Sequence, residues 1–445
     1  MGRLFGTDGV RGVANEELTT DLAYKIGRAG AYVLAGELKH KPTIIIGKDT
    51  RISGDMLEAS LISGICSVGA DAIRAGVIPT PGIAYLTRLY NCDAGVVISA
   101  SHNSFEFNGI KFFNNNGYKL PDEVENEIEA IIFGEKEEPK AATPENIGHC
   151  IEKENCLNDY AKYLISIGTP QNGRKIAIDC ANGASHEIAE MVFKGLGAEV
   201  LSIGTTPDGI NINKDCGSTH IENLKKFVKE QKADVGFAFD GDADRMLAVD
   251  ENGEFVDGDK VLIICGKHLK DNGKLKNNAI VGTVMSNMGF EIAGKENNID
   301  IIRTKVGDRY VLEEMLKSGY VIGGEQSGHV IFLEHNTTGD GILTAINVLN
   351  VMNETGKSLS TLAKVMVSYP QVTVNAKVTP KRKQNYMEDP KVKEIIEATE
   401  KLFEGQGRVL IRPSGTEPLI RVMIEGKDQK FIEEKATEIA KVIEG

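Results

Sequence analysis

The sequence predicts an α/β protein built from three related α/β domains and a smaller C-terminal α+β domain, on three observations. A short apolar run, a Gly-polar loop and a helical pattern follow one another three times, about every 100 to 130 residues. The apolar runs are bounded by Gly and rich in Ile and Val, which fits parallel strands buried on both faces. The chain end instead alternates apolar and polar residues at Val372, Val374, Ala376 and Val378, the pattern of a half-buried strand.

The first repeat runs from Thr43 to Arg51, with a helix from Asp55 to Val68. The second runs from Lys175 to Gly183, with a helix from Ser185 to Leu196. The third runs from Ala279 to Asn287, with a helix from Gly289 onward. Each unit should offer ligands the loops at the carboxyl ends of its strands. Residues 134–140 (GEKEEPK) are polar and read as an exposed connector. Residues 250–259 are turn-rich and read as the joint between the second and third units. In the last domain the basic turn Thr379 to Lys383 ends the first strand. A helix from Pro390 to Phe403, strands Arg408 to Arg412 and Leu419 to Glu425, and a helix from Lys430 to Ile443 complete it. The expected division is 1–160, 161–255, 256–369 and 370–445.

Composition narrows the function. With 41% apolar and 26% charged residues the chain is an ordinary globular one, not a disordered one. Its 48 Gly have no three-residue period, which excludes collagen and points to backbone-lined turns. A net charge of −13 disfavours nucleic acid as a partner. It also means that any phosphorylated metabolite must meet a local supply of cations. Cys66, Cys92, Cys150, Cys156, Cys180, Cys216 and Cys265 are odd in number and lack C-x-x-C spacing, so reduced thiols in a cytoplasmic protein are expected. His149, Cys150 and Cys156 read as chance neighbours in a loop rather than a metal site. The first residues, Met1 to Thr7, show no secretion signal, and Gly6 stands where myristoylation needs Ser or Thr. No apolar run approaches the roughly 18 residues of a membrane span.

Four constellations carry chemistry. The strand Ala94 to Ile98 delivers Ser99-Ala100-Ser101-His102-Asn103-Ser104, where a serine can act as nucleophile or merely close a Ser/Asn-rich turn. No G-x-S-x-G elbow is present, which disfavours hydrolase-type acyl chemistry. In Phe239-Asp240-Gly241-Asp242-Ala243-Asp244-Arg245, three alternating carboxylates call for a hard cation, Mg²⁺ or Ca²⁺, unless they form a solvated acidic turn. An EF-hand would use these Asp residues and Glu251, but Arg245 occupies the place of its required Gly and a strand precedes the loop. Gly323-Gly324-Glu325-Gln326-Ser327-Gly328-His329 can bind the hydroxyls of a small ligand such as a sugar, and His329 can assist proton transfer or be structural. Arg412-Pro413-Ser414-Gly415-Thr416-Glu417-Pro418, with Arg421 beyond, offers the donors of a phosphate cradle, though not at Walker A spacing, or a structural loop. Together the four fit phosphoryl transfer on a sugar phosphate.

On these motifs, with Phe5-Gly6-Thr7-Asp8-Gly9-Val10-Arg11-Gly12 and Val306-Gly307-Asp308-Arg309-Tyr310, the chain resembles the α-D-phosphohexomutase superfamily over its whole length, in the branch acting on glucosamine phosphates. The resemblance implies three related α/β domains with mixed sheets plus the C-terminal α+β domain, arranged around a central cleft. It implies that Ser101 is carried as phosphoserine and binds Mg²⁺ together with Asp240, Asp242 and Asp244. Glu325 and Ser327 would hold sugar hydroxyls, and Arg412, Ser414, Gly415, Thr416 and Arg421 the non-reacting phosphate. Arg11, Lys111, His329 and Arg245 would lie near the transferred group. The implied activity interconverts glucosamine 6-phosphate and glucosamine 1-phosphate through a 1,6-bisphosphate, towards UDP-N-acetylglucosamine. The alternatives are a glucose or mannose phosphate mutase, or a non-catalytic sugar-phosphate binding protein. The expected partner is a small sugar phosphate, with neither nucleic acid nor membrane, and a homodimer is compatible with the resemblance. One departure stands out: Ser104-Phe105-Glu106-Phe107 replaces the family's Pro and Asp, which removes a φ lock and a carboxylate beside the nucleophile.

Overall fold

In the computed structural model, which describes residues 4–6, 8–36, 40–403, 405–414 and 418–445, the apolar runs are the strands that they predict. Thr43–Lys48 pairs in parallel with Asp71–Val77 on one side and Ala94–Ile98 on the other. Five of its six residues are buried, since helices Thr20–Ala35 and Gly54–Ser67 cover one face and Thr80–Leu89 the other. Beyond Ala94–Ile98 the sheet turns antiparallel, adding Phe107–Asn114, Gly9–Val13 and Phe5–Gly6. Cys150–Glu152 closes the other edge of this seven-stranded mixed sheet.

The second sheet has five strands, in the order Phe255–Val256, Met246–Asp250, Val235–Phe239, Lys175–Asp179 and Glu199–Ile203. Its helix begins at Ile188, not Ser185, because Ala181 and Asn182 take left-handed φ and carry the chain through a turn first. The segment 250–259, read as the joint between the second and third units, is itself ordered. It is a hairpin, with Val249 opposite Phe255, running straight into helix Gly258–Asp271, whose N-terminus is capped by Asp257. The third sheet contributes Ala279–Thr283, parallel to Ile322–Gly324, which pairs antiparallel with Val330–Phe332.

These sheets belong to one compact unit, residues 1–284 and 302–364. Asp340 is one of its internal anchors. Its carboxylate caps helix Gly341–Thr355 and accepts from the hydroxyl of Tyr160, on helix Cys156–Ile167, at 2.6 Å. Residues 134–140 are irregular and exposed except Pro139, whose carbonyl accepts from Arg28.

A second compact unit comprises residues 285–301 and 365–445. Its three-stranded antiparallel sheet has Leu419–Gly426 between Gln371–Lys377 and Gly407–Pro413, packed on helices Pro390–Leu402 and Gln429–Glu444. Helix Met288–Glu296 is held here by Asn287, whose side chain donates to Tyr369 O and accepts from Tyr369 N–H. The basic segment after Lys377 is not a turn. Thr379 caps a short helix, Pro380–Asn385, with Pro at its first position.

The cysteines carry no disulfide, and five of the seven are buried. No helix among the described residues is long and apolar enough to cross a membrane.

Glu125 tests the packing electrostatically. It lies on helix Asp122–Ile132, 14% exposed, 3.7 Å from Arg309, and burial, reinforced by Asp122 and Glu129, pushes its carboxyl up to about 7 against the pull of Arg309. The folded state then binds a proton that the unfolded chain releases near its ordinary value, so stability is lost as pH rises through 7. Glu125→Gln should therefore leave stability nearly unchanged at pH 4 and raise it by roughly 3 kcal/mol at pH 8.5. Urea melts at both pH values check this, and an equal difference at both would refute it.

Candidate active site

Strand Ala94–Ile98, buried along its whole length, ends at a loop whose Ser101 takes a left-handed φ of +53°. A non-glycine residue pays a conformational penalty there, and such residues concentrate where the surrounding structure fixes them for a purpose. The result is that Ser101 Oγ, 1% exposed as a residue, donates to Asp240 Oδ2 at 2.6 Å. Asp240 follows directly on strand Val235–Phe239. Gly241 permits the approach, since a Cβ there would lie 2.5 Å from Ser101 O.

Asp240, Asp242 and Asp244 are all buried and offer ligand atoms within 4.8 Å of one another. Among the described residues no other group of three His, Cys, Asp or Glu side chains does so. Asp242 Oδ2 accepts from Thr80 Oγ1 at 2.6 Å and Lys111 Nζ at 2.9 Å. Asp242 Oδ1 and Asp244 Oδ1 accept no hydrogen bond, although both are buried. Burial and the charges of Asp244 and Asp242 push the Asp240 carboxyl well above its usual range. An oxygen cluster with orphaned lone pairs and mutual repulsion suits a hard divalent cation.

Cations surround this cluster. Lys111 is 2% exposed and also lies 3.0 Å from Asp8, which pairs with Arg11. Burial disfavours its charge, but Asp242 and Asp8 more than compensate and hold Lys111 protonated. Lys119 bridges Asp8 at 2.7 Å and Asp308 at 2.5 Å. His329 lies between Asp244 on Nδ1 and Asp308 on Nε2, each at 3.5 Å. Burial lowers its pKa and the two carboxylates raise it further, while the Gly339 N–H, donating to Nε2, opposes the doubly protonated ring. Arg245 Nη1 lies 3.0 Å from His102 Nδ1. Burial and the charges of Arg245 and Arg11 push His102 down to about 4, so its neutral Nδ1 accepts from Arg245.

Ser101, Asp240, Asp242, Asp244, Arg245, Lys111 and His329 thus come together, with Arg11 joined through Asp8. Glu325 follows strand Ile322–Gly324 on the loop that ends at His329. Its Oε1 accepts from Gly307 N–H at 3.1 Å, and Ser327 is exposed on the same loop. Glu251 has no part in this cluster. It accepts from Ser360 N–H and hydroxyl, at the start of helix Leu359–Ala363.

The second unit holds the other predicted site. Arg412 and Arg421 stand opposite each other in an antiparallel pair, which brings two guanidinium groups to one place, the donor chemistry that an anion needs. Burial and the charge of Arg421 lower the pKa of Arg412. Ser414, 4% exposed, donates its N–H to Leu419 O, whereas Gly415 and Thr416 lie outside the described residues. The sequence reading singled out neither Thr80 nor Lys119 and gave no role to Asp8, His102 or Asp308. The last three stand inside the motifs behind the family resemblance; Thr80 and Lys119 leave no local signal.

Family models cover nearly all of the chain. Phosphoglucomutase/phosphomannomutase alpha/beta/alpha domains I, II and III match residues 2–139, 158–253 and 257–369, and the C-terminal domain matches 374–442. The phosphoglucosamine mutase of Acetivibrio thermocellus is 62% identical over the whole chain and 99% of its own length. A phosphoglucomutase/phosphomannomutase family protein of Burkholderia thailandensis shares the fold at 22% identity, with a TM-score of 0.81 over 98% of this chain and 96% of that one. The Aspergillus fumigatus N-acetylphosphoglucosamine mutase, solved with GlcNAc-6P and magnesium, aligns at 18% identity with a TM-score of 0.63 over 93% of this chain and 85% of its own.

The orphaned oxygens predict that millimolar Mg²⁺ raises the thermal midpoint of the wild-type protein by several degrees. In Asp242→Asn that rise should shrink to near zero. An equal rise in both proteins would place the ion elsewhere.

Proposed function

We propose that this chain, which belongs to the phosphoglucomutase/phosphomannomutase family, carries a phosphoryl group on Ser101 and interconverts glucosamine 6-phosphate and glucosamine 1-phosphate. One observation carries the reading: a left-handed Ser101 presents its hydroxyl, 2.6 Å from Asp240, to a buried carboxylate triplet ringed by cations. The full-length likeness to a phosphoglucosamine mutase supports the choice of sugar.

Phosphoserine 101 gives its phosphoryl group to the C1 hydroxyl of glucosamine 6-phosphate: the O1–P bond forms, the Ser101 Oγ–P bond breaks, and the hydroxyl proton ends on Ser101 Oγ. The 1,6-bisphosphate then turns over, its 6-phosphoryl group returns to Ser101, and glucosamine 1-phosphate leaves. Asp240, Asp242 and Asp244, with an oxygen on phosphorylated Ser101, would hold Mg²⁺, which when bound neutralises charge on the transferred group. Lys111, Arg245 and Arg11 add fixed positive charge at that end, and His329 is the titratable side chain among them. Glu325 and Ser327 hold sugar hydroxyls. Arg412, Ser414, Gly415, Thr416 and Arg421 hold the phosphate that is not reacting. The domain division 1–160, 161–255, 256–369 and 370–445, and a cytoplasmic place of action on the way to UDP-N-acetylglucosamine, complete the reading.

Intact-protein mass should fall by one phosphoryl group on phosphatase treatment, and the loss should map to Ser101. Ser101→Ala should abolish turnover and remain folded. Among glucosamine, glucose and mannose phosphates, kcat/KM should be highest for glucosamine. A clear preference for glucose or mannose would reassign the substrate, and an active Ser101→Ala would remove Ser101 from the reaction.

A further inference from the structure

Arg51 is a side chain that the reaction does not touch, yet it is fully buried beneath the nucleophile loop. A guanidinium has five N–H donors in a rigid fork, and here all five are used. Nε donates to Asp49 Oδ2 at 2.9 Å. Nη1 donates to the carbonyls of Ser104 and Phe107, the latter at 2.9 Å. Nη2 donates to the carbonyls of Ser101 at 3.0 Å and Asn103 at 2.8 Å. Four of the five acceptors are therefore backbone oxygens of residues 101–107.

The anchor beneath it is equally complete. Asp49 Oδ1 accepts the Arg51 N–H at 3.0 Å. Asp49 Oδ2 also accepts from Ser99 Oγ at 2.5 Å, and Ser99 Oγ in turn accepts the Ser101 N–H at 3.0 Å. Ser101 is thus held at its N–H through Ser99 and at its carbonyl through Arg51, on either side of its left-handed φ. Asn213 adds two further bonds, to the carbonyls of Ser101 and Asn103, each at 2.9 Å. The loop itself has no Pro to restrict φ between Ser101 and Phe107.

We infer that Arg51 is the positioning residue of the nucleophile: it imposes the strained loop conformation that turns Ser101 Oγ towards Asp240, and so sets the rate of phosphoryl transfer without contacting the substrate. The inference rests on the reading of Ser101 as the phosphoryl carrier. Lysine keeps the charge but has three donors on a flexible stem and cannot span four carbonyls. With part of the ladder gone, relief of the left-handed strain favours other loop conformations.

The test uses the full-length protein with Arg51→Lys and Arg51→Ala. In R51K, kcat on glucosamine 6-phosphate should fall about 100-fold with KM changed less than about threefold, as expected when the reacting atom is misplaced and sugar binding is not. Amide exchange measured by mass spectrometry should rise in a peptide covering residues 101–107 and stay unchanged in the central strands. Added guanidinium should raise the kcat of R51A without raising its thermal midpoint. If R51A does not fold, R51K decides alone. A folded R51K with near wild-type kcat and unchanged loop exchange would overturn the inference, as would a loss of activity matched by global exchange. Should the wild-type protein prove inactive on every hexose phosphate, the reading of Ser101 fails while the exchange comparison still decides the role of Arg51.

Discussion

Mutual repulsion among three buried carboxylates is the constraint around which the first unit is organised. Asp240, Asp242 and Asp244 sit within one oxygen cluster, and Asp240 and Asp244 respond in opposite directions. Burial and its two neighbours drive Asp240 towards the neutral form. Asp244 goes the other way: burial opposes ionisation, but His329, Lys111 and Arg245 hold its carboxyl below the usual range. This asymmetry is what separates a cation site from an acidic patch. Exposed carboxylates would be screened by water and salt, whereas buried ones must be answered by specific groups. Those groups are drawn from far along the chain, with Lys111 and Thr80 reaching Asp242 across 131 and 162 residues.

The same balance accounts for a chain of net charge −13 handling an anionic substrate. Lys111, Lys119, Arg245 and Arg11 are concentrated at one place; against the cost of burial, Asp242 and Asp8 keep Lys111 charged, and Asp308 and Asp8 keep Lys119 charged. Asp8 is itself held well below the usual carboxylate range: burial opposes this, but Lys111, Lys119 and Arg11 outweigh it. Local field, not total charge, decides what the site attracts.

What could be read from the sequence follows from how local the physics is. Strands Thr43–Lys48, Lys175–Asp179 and Ala279–Thr283 were legible because a parallel strand buried on both faces must be apolar almost throughout. The Asp triplet and Ser101 were legible because each is a short motif at the end of such a strand. Capping chemistry was less so. The segment Thr379 to Lys383 looks like a basic turn, but the Thr379 side chain and Pro380 start a helix there. Residues 250–259 are the joint between the second and third family domains, as their turn residues suggest, but that turn also closes a hairpin whose cross-strand pairs no local pattern announces. Thr80 and Lys119 were illegible for a stronger reason: their partners are set by tertiary packing, and an isolated Thr or Lys carries no spacing to read. The serine loop's missing Pro was visible, but the five-donor fork of Arg51 bonded to that loop was not.

The two candidate sites are built with unfavourable local arrangements, and the two units carry them in different form. In the first unit the backbone is held left-handed at both Ser101 and Ala243, on facing loops, with Gly241 filling the closest approach between them. Neither loop could relax alone without opening the Ser101–Asp240 contact. In the second unit the arrangement is electrostatic rather than conformational: Arg412 and Arg421 are set opposite one another in the ladder, and the charge of Arg421 helps to lower the pKa of Arg412. A fold selected for stability alone would avoid both arrangements, since a neutral pair across the ladder and a right-handed turn after Ala94–Ile98 would each be more favourable. Excess anionic charge in one unit and opposed cations in the other are the complementary demands of a metal and a phosphate. On the proposed reading, a metal and a phosphate are the ligands whose binding offsets these two costs.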